Sequence, residues 1–296
     1  MLECSLGILA YNEEKNIGRL LKAVQEQRLQ EVKIKEIIVV SSGSTDRTDE
    51  IVAQFAKMDP NIRLLTQQER KGKSSAINLF LQHSSAPILI IESGDTIPEK
   101  DTIEKLILPF QDSTIGMTGG RPQPINNQKT PVGFAVCLLW KLHDKMAKIS
   151  PKLGEMVAFR NIVKSIPEKS AVDEASIEAI IKKNGLKLHY VRDAIVYNKG
   201  PDNISDFLKQ RRRIYAGHLW LQDNQKYKVV SQNGKLIAQL TAKELSFNII
   251  KDIKIFITVL LEIIGRSLGW YDYKIRKLNP YKWDIATSTK ALSKKI

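Results

Sequence analysis

Short apolar runs alternate with amphipathic stretches through the first hundred residues. Residues 4–9 form a mostly apolar run, residues 37–40 a second, 62–65 a third and 88–91 a fourth. Runs this short and this apolar predict strands buried on both faces. Between them, Ile17, Leu20, Leu21 and Val24 recur at helical spacing, as do Ile51, Val52 and Phe55, and then Ala76, Ile77, Phe80 and Leu81. This β-α-β rhythm predicts a mostly parallel α/β sheet, Rossmann-like, with right-handed crossovers and flanking helices. Each strand ends in a polar loop, at the edge where open α/β sheets bind ligands.

The pattern then loosens. Helices are predicted over 103–110, 133–149, 173–184 and 204–221, with Gly185 stopping the third. Strand-like segments fall at 116–122, 156–159, 188–191 and 194–197. Residues 226–240 read as basic and irregular, 245–268 as a second long helix, and the chain after about 279 as a tail. The expected division is an α/β domain over 1–225 and a basic, amphipathic helical extension over 226–296. No repeat or low-complexity segment interrupts it.

Charge changes this picture in one place. The net charge is +14, and residues 201–296 hold 18 Lys or Arg against 8 Asp or Glu. Such a tail suits acidic lipid headgroups, a phosphorylated substrate or nucleic acid, or serves solubility alone. The 2 cysteines, Cys4 and Cys137, give neither a disulfide framework nor zinc spacing, which predicts a reducing, cytoplasmic compartment. The first apolar run meets Asn12-Glu13-Glu14 too soon for a signal peptide, and no apolar run is long enough to span a bilayer.

The candidate chemistry sits at the strand ends. Ala10-Tyr11-Asn12-Glu13-Glu14 follows the first strand, Ser42-Gly43-Ser44-Thr45-Asp46 the second, Lys71-Gly72-Lys73 opens the third helix, and Ser93-Gly94-Asp95 follows the fourth strand. Gly72-Lys73-Ser74 is not a Walker A loop, because Gln67 stands where that loop needs glycine. Asp95 reads either as a carboxylate facing a metal-bound diphosphate or as a capped surface turn. Asp46 reads as a nucleotide contact or a helix cap. Asp173 and Glu174 open a helix, where acids are favoured without any catalytic role. Gln210-Arg211-Arg212-Arg213 carries guanidinium forks suited to phosphate, or a solvated face. Trp140 reads as a stacking ring or as core packing, and His143 as a cleft residue or a structural one, the structural reading being preferred for both. In 245–268, Ile253, Phe256, Ile257, Leu260, Leu261 and Ile264 recur at helical spacing, with Lys251, Lys254 and Arg266 beside them and Trp270, Tyr271 and Tyr273 beyond. That suits a helix lying on the inner face of an anionic membrane, or one packed on its own domain or on a second subunit.

Taken in order, these motifs resemble family 2 glycosyltransferases, which have the GT-A fold. The resemblance covers roughly residues 4–215 and extends to Asp173-Glu174 before Gly185, then to Tyr190 and Ala194, and to Gln210 through Arg213. It implies an inverting sugar transfer from a nucleotide-diphosphate donor to an acceptor hydroxyl, on a lipid-linked or cell-envelope glycan, assisted by Mn²⁺ or Mg²⁺. Glu174 takes the register of the family's base, with Asp173 beside it. Tyr11, Glu13, Ser42, Asp46, Lys73, Ser93, Asp95, Gln210, Arg211 and Arg213 fall at donor-side positions, with Asp95 as the metal ligand. Arg121, Glu155 and Arg160 fall on the acceptor side. The chain departs from the family at Ser42 and Ser93, which stand where aspartates are usual, and at Ile214, which stands for a tryptophan. Those departures keep open an inactive glycosyltransferase-like scaffold. A nucleic-acid-binding protein is the remaining alternative, but the chain shows none of the usual recognition motifs, and no nucleic-acid partner is expected.

Overall fold

The computed structural model describes residues 1–279, 281–282 and 289. Strands β1 (Leu2–Ala10), β2 (Val32–Ser42), β3 (Ile62–Gln67) and β4 (Ile88–Ser93) alternate with helices α1 (Ile17–Gln25), α2 (Thr48–Met58) and α3 (Lys73–His83). A two-residue β5 (Ile97–Pro98) and α4 (Thr102–Ile107) precede β6 (Ile115–Pro124), α5 (Pro131–Ile149), β7 (Val157–Arg160), α6 (Asp173–Lys183) and β8 (Lys187–Asn198). Three more helices close the order: α7 (Ile204–Gln225), α8 (Gly234–Ala242) and α9 (Ile249–Trp270).

The strands form one sheet in the order β3-β2-β1-β4-β7-β6-β8-β5. The pairs β3-β2, β2-β1 and β1-β4 are parallel, as the alternating pattern predicts. β7 runs antiparallel to β4 and to β6. The β4 run is apolar at successive positions because both its faces are covered. Ile88 and Ile90 enter one core with α1, while Leu89 and Ile91 enter the other with α3 and α6.

Three segments differ from the sequence expectation. The strands expected at 188–191 and 194–197 are one strand, β8. Arg192 and Asp193 between them are exposed, where β8 runs longer than its partner: Gly119 pairs Tyr190, but Arg121 pairs Ile195. The polar interruption marks a bulge, not a strand end. Residues 226–240 are not wholly irregular, because Asn233 accepts from Leu236 N at 3.1 Å and caps α8. The last long helix starts at Ile249, because Asn248 caps it by accepting from Lys251 N at 3.0 Å.

α9 folds back onto α5 and α7. A Cβ on Gly265 would lie 2.6 Å from Arg211 Cβ, and one on Gly269 would lie 2.4 Å from the Arg212 carbonyl. Glycine lets the two helix backbones meet closely there. Arg211 grips Glu262 with two hydrogen bonds, Nε to Oε2 at 2.6 Å and Nη2 to Oε1 at 2.8 Å, and Arg212 pairs with Asp272 just beyond α9.

Candidate functional site

A cleft of about 760 Å³ opens where β1, β2 and β4 end, roofed by α6, α7 and the inner face of α9. On its donor-like side two strand-end loops interlock. Asn12 adopts a left-handed backbone, φ 52, which asparagine tolerates. Its Oδ1 accepts from Thr45 N at 2.8 Å, and its own N donates to Ser44 Oγ at 3.1 Å. Glu13 is buried, lines the cleft and accepts from Asn16 Nδ2 at 2.9 Å. A Cβ on Gly94 would come 2.9 Å from Glu13 Cγ, so glycine is what lets the turn after β4 close on the turn after β1. Tyr11 lines the cleft, with the Arg70 guanidinium 4.4 Å from its ring centroid.

Ser42 also lines the cleft, its hydroxyl donating to Gln67 Oε1 at 2.7 Å. Asp46 does not. Its carboxylate accepts from Glu14 N and Thr48 N, each at 3.0 Å, and from the Thr48 hydroxyl. Burial pushes Asp46 up, but those hydrogen bonds outweigh it and hold the carboxyl below its usual range. Of the two readings of Asp46, the cap at the start of α2 is the one the geometry supports.

Ser93 and Asp95 both line the cleft. Glu92 does not. It is buried, bonded through Oε1 to the Thr96 hydroxyl at 2.9 Å, and burial, then the charges of Glu155 and Asp95, push it up to about 8. Among the described residues no three His, Cys, Asp or Glu gather as a metal cage. A divalent cation takes about six oxygens. One carboxylate, Asp95, therefore fits a cation shared with a diphosphate, which supplies oxygens of its own, and not one held by the protein alone.

Across the cleft, the first turn of α6 meets the first turn of α3. Lys73 Nζ lies 2.7 Å from Glu174 Oε1, and the Ser74 hydroxyl contacts both Asp173 Oδ1 and the Ser170 carbonyl. Burial pushes the Glu174 carboxyl up, but Lys73, with a backbone hydrogen bond and the Lys152 charge, outweighs it and holds Glu174 below the ordinary range. Asp173 goes the other way, since burial prevails over Lys73 and Ser74. The adjacent acids are thus set apart, one kept ionised and one kept protonated more readily. Burial draws Arg213 down, opposed by the charges of Asp173, Glu174, Glu155 and Asp95. This arginine therefore stands in the field of four acids of the cleft. Glu155 reaches the same field from a strained left-handed backbone, φ 60, and accepts from Asn198 Nδ2 at 3.0 Å. Burial, then Asp95, push it up to about 7.

A model of the family described as "Glycosyl transferase family 2" matches residues 5–154, half of the chain. The chain belongs to glycosyl transferase family 2. A probable glycosyltransferase of Bacillus subtilis, YdaM, is 27% identical over 233 residues, 73% of this chain and 55% of that protein. The dolichyl-phosphate beta-glucosyltransferase ALG5A of Trichomonas vaginalis is 33% identical over 138 residues, 43% of each chain. This family 2 chain thus spans about half the length of the curated relatives it matches. Among solved structures, the mannosyltransferase PcManGT of Pyrobaculum calidifontis, in complex with GDP-Man and Mn²⁺, has a TM-score of 0.62 at 19% identity, covering 94% of this chain and 81% of that one. The fold is that of the GT-A glycosyltransferases.

Within this family 2 chain the cleft gathers most of the expected residues and leaves out two on the acceptor side. Arg160 lies opposite Ile88, the first residue of β4, so antiparallel β7 carries it to the far edge of the sheet. There it donates to the carbonyls of Phe110, Asp112 and Ile115. Arg121 on β6 is outside the lining, within electrostatic reach of Tyr190 and Tyr197. Gln210 and Arg211 do line the cleft, although Arg211 is tied to Glu262. The acceptor-like wall is instead made by Trp140 and His143, for which the sequence favours a structural reading, and by Lys152, which the sequence does not single out. Trp140 and His143 line it with ring centroids 5.2 Å apart and edge-on. Lys152 lines it too, its ammonium drawn down by burial. Nothing in the spacing around Lys152 distinguishes it from any other lysine in a loop.

Proposed function

We propose that the chain moves a sugar from a nucleotide-diphosphate donor to an acceptor hydroxyl, with inversion at the anomeric carbon. The observation that carries this is the Lys73–Glu174 pair, set in one cleft with Asp95 and Arg213 at the carboxyl edge of the parallel strands. Glu174 is the base, since Lys73 keeps it ionised and ready to take the acceptor proton. One ionised base without an evident second nucleophile suits a single displacement, hence inversion. Arg213 and Lys73 place positive charge where the diphosphate leaves. A divalent cation, Mn²⁺ or Mg²⁺, held by Asp95 would add charge neutralisation at the diphosphate. Tyr11 and Glu13 seat the nucleotide, and Trp140 offers a ring face or edge to a sugar on the acceptor side.

The acceptor we favour is a hydroxyl of a lipid-linked or cell-envelope glycan, met at the cytoplasmic face of a membrane. The dolichyl phosphate in the name of the Trichomonas relative supports the lipid-linked part of that reading, and the basic C-terminal segment the membrane part.

Nucleoside diphosphate release, measured across a panel of nucleotide sugars, tests the reading. Glu174→Gln should lower kcat by about 10²- to 10⁴-fold, the usual span for a lost general base, and leave donor binding intact. Turnover unchanged in this variant would sink the base assignment. Donor binding by the wild type without turnover on any acceptor would favour the inactive scaffold.

A further inference from the structure

We propose that α9 lies in the headgroup layer of an anionic membrane, with its outer apolar face against the acyl chains. This goes beyond the transferase reading and does not depend on it. The helix has two faces of opposite fate. Its inner face, with Ile255, Leu261, Gly265 and Gly269, is buried against α5 and α7. Its outer face carries Ile253, Phe256, Leu260, Ile263 and Ile264, which are 54%, 69%, 48%, 56% and 37% exposed. From Ile253 onward that outer stripe holds no charged residue. It continues to Trp270 and Tyr271 at one end and to Phe247, fully exposed, at the other. At 22 residues the helix is about 33 Å long. A soluble monomer rarely leaves so long an apolar stripe uncovered. No described helix is long and apolar enough to cross a membrane, so the stripe suits a surface and not a span.

Charge decides between an anionic membrane and a second copy of the chain. Exposed Lys243 precedes α9, exposed Arg276 and Lys277 follow it, and Lys254 and exposed Lys129 lie alongside. In a self-pairing along α9, parallel or antiparallel, these basic ends would face one another and repel. Acidic headgroups would meet them instead, while Trp270 and Tyr271 take the interfacial position their amphipathic rings favour. The inner face of the same helix brings Glu262 and Arg266 to the cleft. A bilayer under α9 would therefore lie about one helix diameter, roughly 10 Å, from the site.

Flotation of the full chain with vesicles tests this. Phosphatidylcholine vesicles containing phosphatidylglycerol should carry the protein upward. Vesicles of phosphatidylcholine alone, or added salt, should weaken binding by about tenfold or more. Phe256→Asp with Ile263→Asp should abolish flotation and leave the melting temperature unchanged, since both side chains are already exposed. Equal binding to neutral vesicles, or none to either, would overturn the proposal. So would a dimer in light scattering that the same two substitutions dissociate. Phe256→Ser with Ile263→Ser removes the apolar contact without adding charge, and retained flotation there would also count against it.

Discussion

At the scale of the residue, the site rests on one contact between groups 101 positions apart, Lys73 to Glu174. The acids before Gly185 marked Glu174 as a candidate in the sequence. Its partner was not legible there, because only the fold brings α3 and α6 together. The contact sets a pH dependence. Glu174 is held below the ordinary carboxylate range, chiefly by Lys73, so with Glu174 as the proposed base, activity is expected to fall as pH drops through that depressed value. In Lys73→Met, burial of Glu174 would be opposed only by a backbone hydrogen bond and the Lys152 charge, and its carboxyl should rise. The acid limb of the kcat/KM profile should then move to higher pH. A profile unmoved by the substitution would separate Lys73 from the base. Arg160 shows why residue type alone misleads: its charge suits an acceptor, yet the strand direction that the fold gives β7 points it to the opposite edge.

At the scale of the element, the strands before residue 100 could be read from apolar runs because each is buried on two faces. β8 could not be read as one strand, because a bulge exposes Arg192 and Asp193. The join of α7 to α9 was equally hidden, since it depends on glycines meeting a backbone and on Glu262 between two arginines. Burial pushes Glu262 up, but Arg211 and Arg266 outweigh it and bring it down to about 2. A carboxyl depressed in the folded state stabilises above its unfolded pKa and loses that contribution as pH falls through the folded one. The window is therefore from about 4.3 down to about 2. Glu262→Gln should lose about 3–5 kcal/mol near neutrality, the usual cost of breaking a buried pair, and its stability should be flatter through that acid window. Urea unfolding at a series of pH values measures both. A variant as stable as the wild type at pH 7 would mean that the α7–α9 join does not rest on this pair.

At the scale of the whole molecule, four loops from separate strand ends, two helix N-termini and the inner face of α9 make one cleft. The resemblance in the sequence placed most of that cleft. For Trp140 and His143 it left a cleft role as the less favoured reading, and it did not point to Lys152; their meeting in one wall comes from packing α5 across the sheet. On the proposed function this cleft holds a nucleotide diphosphate, and Asp95 joins it through a cation the protein cannot hold alone. The direct measurement is thermal unfolding of wild type and Asp95→Ala with nucleoside diphosphates, with Mn²⁺ or Mg²⁺, and with both. A ligand at a hundred times its dissociation constant stabilises by about 2.7 kcal/mol. A full shift is expected for one nucleotide only when cation and nucleotide are both present, and Asp95→Ala should lose it. Stabilisation by the cation alone, or no shift with any nucleotide, would contradict that reading.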